Sequence, residues 1–243
     1  MVIGNKSYAS SENDLINSQI NWEAFSDNTV LNKGEVYIFK VETSPYYKQI
    51  AKDDTQILSG EELNKSLRFI RKTDSERYIA VRHLLRTILS KVCLTAPQDI
   101  EFYNSGNKKP SVKDVEFNIS HSGNYILLAI APDAIGVDIE IINADFDYEP
   151  VLTISFTPDE ILFIKNGNDS VFNFYTLWTR KEAILKASAE GLTDDMDKVK
   201  CLDEEVERNQ ERYSLISFKI KNDYVACLAT SNGKDKINYL EYN

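Results

Sequence analysis

Hydrophobic and polar positions change period several times along the chain, and each change marks an expected element. From Glu35 to Glu42, "EVYIFKVE" alternates and is rich in β-branched residues, which predicts a strand. In "SGEELNKSLRFIRKTDSERYIAVRHLLRTILSKV" the period becomes helical, with Val81, Leu84, Leu85, Ile88 and Val92 following the i, i+3, i+4, i+7 rule. That spacing predicts a helix over Arg77 to Val92 whose apolar stripe faces a core. After the loop "YNSGNKKPSV", the stretch "VEFNISHSGNYILLAIA" reads as two strands around a turn at Ser122-Gly123-Asn124. A turn at Pro132-Asp133-Ala134 leads into "IGVDIEII". Then come "FTPDEILFIKN", a helix expected over Phe174 to Ala187, and a hairpin "YSLISFKIKNDYVACLATS" turning near Asn222-Asp223.

Each half thus holds a long amphipathic helix followed by strands, without a sequence repeat. The pattern predicts an α+β protein of two like-shaped halves, residues 35–134 and 135–243, with a boundary near Pro132 to Gly136. Residues 1–34 are polar, rich in Asn and Ser, and read as an N-terminal extension of uncertain order.

Composition narrows the partners. Of 243 residues, 42% are hydrophobic, ample for a packed core. Acidic residues number 38 against 28 basic, a net charge of -10, which excludes general attraction to nucleic acid or an anionic membrane. A phosphate-bearing ligand would need local cations. Cys93, Cys201 and Cys227 are odd in number, far apart and without a CxxC, so neither a disulfide framework nor a zinc site is expected. The N-terminus lacks the pattern of a signal peptide, and no apolar run reaches the roughly 20 residues needed to span a bilayer. A cytoplasmic location is expected.

Three constellations bear chemistry. In "IGVDIEII", strand alternation puts Gly136, Asp138 and Glu140 on one face and Val137, Ile139 and Ile141 on the other. Neighbouring carboxylates raise each other's pKa unless a cation lies between them, and hard oxygen ligands favour Mg²⁺ or Mn²⁺. In "WTRKEAILKA", Glu182 and Lys186 are helical i, i+4 neighbours, with Trp178 one turn before Glu182. In "FNISHSG", His121 precedes a glycine turn and Ser120 shares a face with Asn118 and Ser122, while Lys108 and Lys109 sit in the preceding loop. Taken singly, each has an ordinary reading: a solvated strand face, a surface ion pair, a structural histidine, a solvated loop. His83, inside the amphipathic helix, is expected to be structural.

Taken in order, "NKKPSV", "FNISHSG", "GVDIE", "FTPDE" and "WTRKEAILKASAEGL" resemble the Sfp-type 4′-phosphopantetheinyl transferases, from about Asn107 to Leu192. Similarity is weaker back to "RFIRKTDSERYIAVRHLLR". The resemblance implies two α+β halves related by a pseudo-two-fold within one chain, acting as a monomer. It implies that the phosphopantetheine arm of coenzyme A is moved to a serine of an apo acyl or peptidyl carrier protein, releasing 3′,5′-ADP. Carrier proteins are acidic helical bundles. Asp138, Glu140 and Glu182 match the acidic positions that bind Mg²⁺, for which Mn²⁺ can substitute, and Glu182 is also the proposed base. Lys186 matches the lysine at the coenzyme A phosphates, and Ser120, His121 and Lys109 match nucleotide-phosphate contacts. Lys65 and Arg77 align with basic positions at the adenosine phosphates. The chain departs from the family where Lys108 replaces the glycine of GKP and where Ala189 stands in KxxGxGL.

Two other readings use the same residues. A coenzyme A or nucleotide-binding module would keep the fold without turnover, and a metal-dependent pyrophosphate hydrolase would need the carboxylates but no protein acceptor.

Overall fold

The computed structural model of the chain describes residues 15–16, 20–26, 28–53, 55–103, 109–191, 195–231 and 236–242, apart from the side chains of 52, 53 and 55. In chain order the elements are β1 (Glu23–Phe25), β2 (Val36–Glu42), α1 (Thr43–Asp53), α2 (Gly60–Ser66), α3 (Lys72–Cys93), β3 (Glu116–Ser122), β4 (Tyr125–Ala131) and β5 (Ile135–Ile141). There follow α4 (Glu149–Ser155), α5 (Pro158–Asn166), α6 (Ser170–Ala187), β6 (Glu205–Arg208), β7 (Glu211–Ile220), β8 (Tyr224–Thr230) and β9 (Ile237–Tyr242). They form two compact units, Asn21–Asp133 with Asp235–Asn243, and Met1–Ile20 with Ala134–Lys234.

In the first unit the sheet order is β1-β9-β2-β4-β3, with β9 parallel to both neighbours and the other pairs antiparallel. Of the expected stripe on α3, Leu84, Leu85, Ile88 and Val92 are buried and Val81 is half-buried; with Leu89, which the stripe did not include, they join Phe39, Ile126, Leu128 and Ile130 in the core. His83 is buried on the same helix, its Nδ1 2.8 Å from the Tyr46 hydroxyl. A short capped helix braces α3. Ser59 and Glu62 form a reciprocal cap at the start of α2, satisfying two helix-end amides. The same Glu62 carboxylate accepts from Arg86 Nε at 2.8 Å and pairs with Arg82. Arg86 in turn donates to the carbonyls of Pro97, Gln98 and Ile100 at 3.0, 3.2 and 3.1 Å, tying the outgoing loop to the helix.

Two first-unit strands were not apparent in the hydrophobic pattern. Three-residue β1 lies within the stretch read as an extension, and β9 lies within 135–243 yet pairs Val36↔Ile237 to Val41↔Tyr242 in the first unit. The last strand therefore returns to the first sheet, with Leu240 in its core.

The second unit is an antiparallel sheet, β5-β8-β7-β6, covered by α6. Leu177, Ala183 and Ile184 pack with Leu215, Val225, Cys227 and Ala229 of the sheet. The bracing seen in the first unit recurs with different residues. Thr157 and Glu160 cap α5 reciprocally, and Glu160 meets the Lys181 ammonium at 2.8 Å, both side chains being almost wholly buried. Lys181 also donates to the carbonyls of Met196, at 3.1 Å, and Val199. Arg180 donates to Cys201 O at 2.6 Å, Ser217 Oγ at 3.1 Å and Asp203 O at 2.5 Å. The segment 195–203 is thus bound to α6 through its backbone.

One expectation needs correction: α6 is not an ordinary amphipathic helix. From Phe172 to Ala187 every residue is buried except Trp178, Glu182 and Lys186, which are half-buried and spaced by four. The charges of Arg180 and Lys181 are accommodated because carbonyls and one carboxylate replace water around them.

Removing either partner of the buried Lys181–Glu160 pair should leave an uncompensated charge in the core. Lys181→Met and Glu160→Gln are each expected to cost about 3–5 kcal/mol, and the double variant less than the sum by at least about 1 kcal/mol. Urea denaturation of the parent and the three variants measures this, and strict additivity would contradict the clamp.

Candidate functional site

β5 runs under α6, and the meeting of the two elements is set by Gly136. A Cβ at that position would collide with the Ala183 carbonyl oxygen and would lie 2.5 Å from the Ala187 amide nitrogen, both backbone atoms of α6. Because alternate strand residues share a face, the face that touches the helix at Gly136 carries Asp138 and Glu140 further along. The register agrees: Gly136, Asp138 and Glu140 sit opposite Ala229, Cys227 and Val225, which belong to the core under α6. The carboxylates therefore do not occupy a solvated strand face.

Asp138 is buried, and its Oδ1 accepts from Lys186 Nζ at 2.6 Å. The Lys186 ammonium also lies 3.4 Å from Val137 O, and 27% of its side chain stays exposed. Glu182 stands one turn before Lys186 on the same face of α6. Burial, reinforced by the charge of Asp138 and opposed by Lys186, raises the Glu182 carboxyl above the ordinary glutamate range. Glu140 is half-buried, and its charge adds to the burial that raises the Tyr175 phenol of α6 against a hydrogen bond to the Asn143 backbone. The site so built is a strip of three carboxylates and one ammonium between a strand and the half-exposed stripe of a helix.

Among the described residues no group of three or more His, Cys, Asp or Glu stands ready to hold a metal ion. The donor set nonetheless fits a hard dication. Its candidate ligands are all carboxylate oxygens, and Glu182 is raised by burial with the charge of Asp138 adding to it, both of which a dication would offset.

The other expected residues lie in the first unit. Ser120 is buried on β3 beside Asn118, while His121 leaves the strand on the opposite face and is exposed. Lys109 pairs with Glu116 at 3.0 Å, and burial, against that pairing, pushes its ammonium below the usual lysine range. Arg77 lies 3.5 Å from Asp74, and Lys65 sits over the Tyr78 ring at 5.2 Å. Lys108 and Leu192 fall outside the described residues.

The pattern reading gave no role to Glu160, Arg180 and Lys181, which set the orientation of α6 and hence of Glu182. The available signals were the Thr157-x-x-Glu160 capping pattern and two adjacent cations in a helix whose other residues are mostly apolar.

Comparison with known proteins completes the picture. A family model described as the 4′-phosphopantetheinyl transferase superfamily matches residues 134–229, and one described as 4′-phosphopantetheinyl transferase, N-terminal, matches residues 44–133. The chain is 33% identical over 151 residues to the protein slr0495 of Synechocystis sp., covering 59% of this chain and 61% of that one. It is 30% identical over 183 residues to the 4′-phosphopantetheinyl transferase HetI of Nostoc sp., covering 72% and 77%. With the 4′-phosphopantetheinyl transferase Sfp of Bacillus subtilis it shares 31% over 143 residues, covering 58% and 64%. The matched part thus spans less than two thirds of slr0495 and of Sfp.

The close approach at Gly136 is testable. Gly136→Ala must push the backbone of α6 away from β5, because no flexible side chain is available to yield. It should cost about 3 kcal/mol or more in urea denaturation, and an unchanged stability would contradict the packing described.

Proposed function

The chain belongs to the 4′-phosphopantetheinyl transferase superfamily, and on that premise we propose that it transfers the 4′-phosphopantetheine arm of coenzyme A to a serine of an apo carrier protein, releasing 3′,5′-ADP. The observation that carries this reading is the strip of Asp138, Glu140, Glu182 and Lys186 between β5 and α6. The chemistry belongs to the half beginning at Ala134, and the basic residues of residues 35–134 serve the nucleotide.

Mg²⁺, or Mn²⁺ in its place, would be held by Asp138, Glu140 and Glu182 and would neutralise the pyrophosphate charge. The remaining work falls to the chain's own residues. Serine oxygen forms the new bond to the phosphorus bearing the pantetheine arm, and the bond from that phosphorus to the nucleotide's bridging oxygen breaks. The serine proton passes to Glu182. Burial raises this carboxyl and so favours proton uptake, while a dication on Asp138 and Glu182 would act against that shift. Lys186, anchored on Asp138 yet partly exposed, supplies fixed positive charge toward the phosphates. Lys109, Ser120, His121, Lys65 and Arg77 hold the nucleotide end, compensating locally for the net charge of -10.

Free Cys93, Cys201 and Cys227 suit a reducing cytoplasm. No helix among the described residues is long and apolar enough to cross a membrane. Two family-matched halves within one chain support a monomer.

Incubation with coenzyme A, Mg²⁺ and an apo carrier, read by intact mass spectrometry, should give a modified carrier. Free phosphopantetheine would indicate hydrolysis, and no change would indicate a binding module. Glu182→Gln should keep coenzyme A affinity within about tenfold while losing roughly 10²-fold or more in single-turnover transfer. Full rescue of that variant by excess Mg²⁺ would leave Glu182 as a ligand only.

A further inference from the structure

The connection between α2 and α3 is an apolar and basic corner that the fold does not require. Leu67 is 82% exposed and Ile70 wholly exposed, with Leu63 and Phe69 each at 38%. Within Leu63–Lys72 stand Lys65, Arg68, Arg71 and Lys72 and no carboxylate, in a chain of net charge -10. Arg68 and Arg71 are exposed, and neither has an ion-pair partner within salt-bridge distance among the described residues. The corner is also held in place from beneath. The Phe69 ring packs on Tyr78 of α3 with centroids 5.4 Å apart, and Lys65 lies over the same ring.

Comparison with the second unit shows that such a corner is not the cost of building these two helices. There the equivalent connection, between capped α5 and long α6, is Asn166-Gly167-Asn168-Asp169, polar and exposed throughout. Exposed aliphatic side chains without a structural task mark an interaction surface. Arginine beside aliphatic residues is the composition of a protein interface rather than of a solvated loop.

We propose that this corner docks an acidic amphipathic helix of the carrier protein, a reading that rests on the transferase function above. Leu67 and Ile70 would seat the apolar ridge of the incoming helix, and Arg68 and Arg71 would meet its carboxylates. Charge selects this surface over the other exposed apolar cluster. Ile141, Phe146, Ile154 and Leu162 lie in a segment that exposes Asp145, Asp147 and Asp159, pairs Glu149 with Lys165 beyond it, and holds no Lys or Arg of its own. An acidic partner is repelled by that segment and by the chain as a whole. The α2–α3 corner is where encounter is favoured.

The test uses the full chain with coenzyme A, Mg²⁺ and an apo carrier, comparing the parent with Arg68→Glu/Arg71→Glu and with Leu67→Ser/Ile70→Ser. All four positions are on the surface, and thermal melting should show both variants folded as the parent. Each should raise the carrier KM roughly tenfold or more while the coenzyme A KM and the rate at saturating carrier stay within about twofold. The charge-reversal variant should also lose the parent's salt dependence of carrier KM. An unchanged carrier KM in both variants overturns the proposal. So does a raised coenzyme A KM with the carrier KM unchanged, which would assign the corner to the donor. Loss of binding to phosphatidylserine vesicles with carrier kinetics intact would assign it to a lipid surface. A parent that modifies no carrier refutes instead the transferase reading beneath it.

Discussion

The Lys181 ammonium, enclosed by the Glu160 carboxylate and the carbonyls of Met196 and Val199, decides which way α6 faces. Successive residues leave a helix about 100° apart. With Arg180 and Lys181 both committed to the segment 195–203, Glu182 is turned toward β5, and Lys186 follows one turn later onto Asp138. A buried ion pair adds little net stability against a well-packed apolar substitute. What it contributes here is orientation. Gly136 then determines how near the helix comes, and so how closely the carboxylates of strand and helix approach one another.

Both units solve the same packing problem with the same parts. A short helix is capped reciprocally by Ser59 and Glu62, or by Thr157 and Glu160. The capping carboxylate then reaches a cation on the next, longer helix, and cations of that helix grip the carbonyls of the chain beyond it. Arginine serves in the first unit and arginine with lysine in the second. The shared plan therefore exists in geometry without a sequence repeat. The two units differ where function would make them differ: carboxylates under the long helix in the second, and an apolar, basic corner in the first.

Much of this was legible in the pattern of residues. Strand alternation in "EVYIFKVE" and "IGVDIEII", the stripe on α3 and the turn at Ser122-Gly123-Asn124 each follow from local periodicity, and they appear at the expected places. Strands β1 and β9 did not, because three residues make no period and their pairing joins positions more than 200 apart in the chain. Arg180 and Lys181 received no role from the pattern, since the carbonyls that surround them come from a segment with no periodic signal. Shared faces placed Asp138 with Glu140 and Glu182 with Lys186. The ion pair of Lys186 with Asp138 crosses between elements, and only packing could supply it.

We place the meeting of a dication with the coenzyme A pyrophosphate at the carboxylate strip between β5 and α6. Crystals grown with Mn²⁺ and coenzyme A, measured at the manganese absorption edge, address this directly. The account predicts an anomalous peak in contact with the carboxylates of Asp138 and Glu182, with pyrophosphate oxygens on its open side. A manganese peak elsewhere on the molecule, or coenzyme A bound with no metal at that strip while the same Mn²⁺ concentration supports transfer, would contradict it.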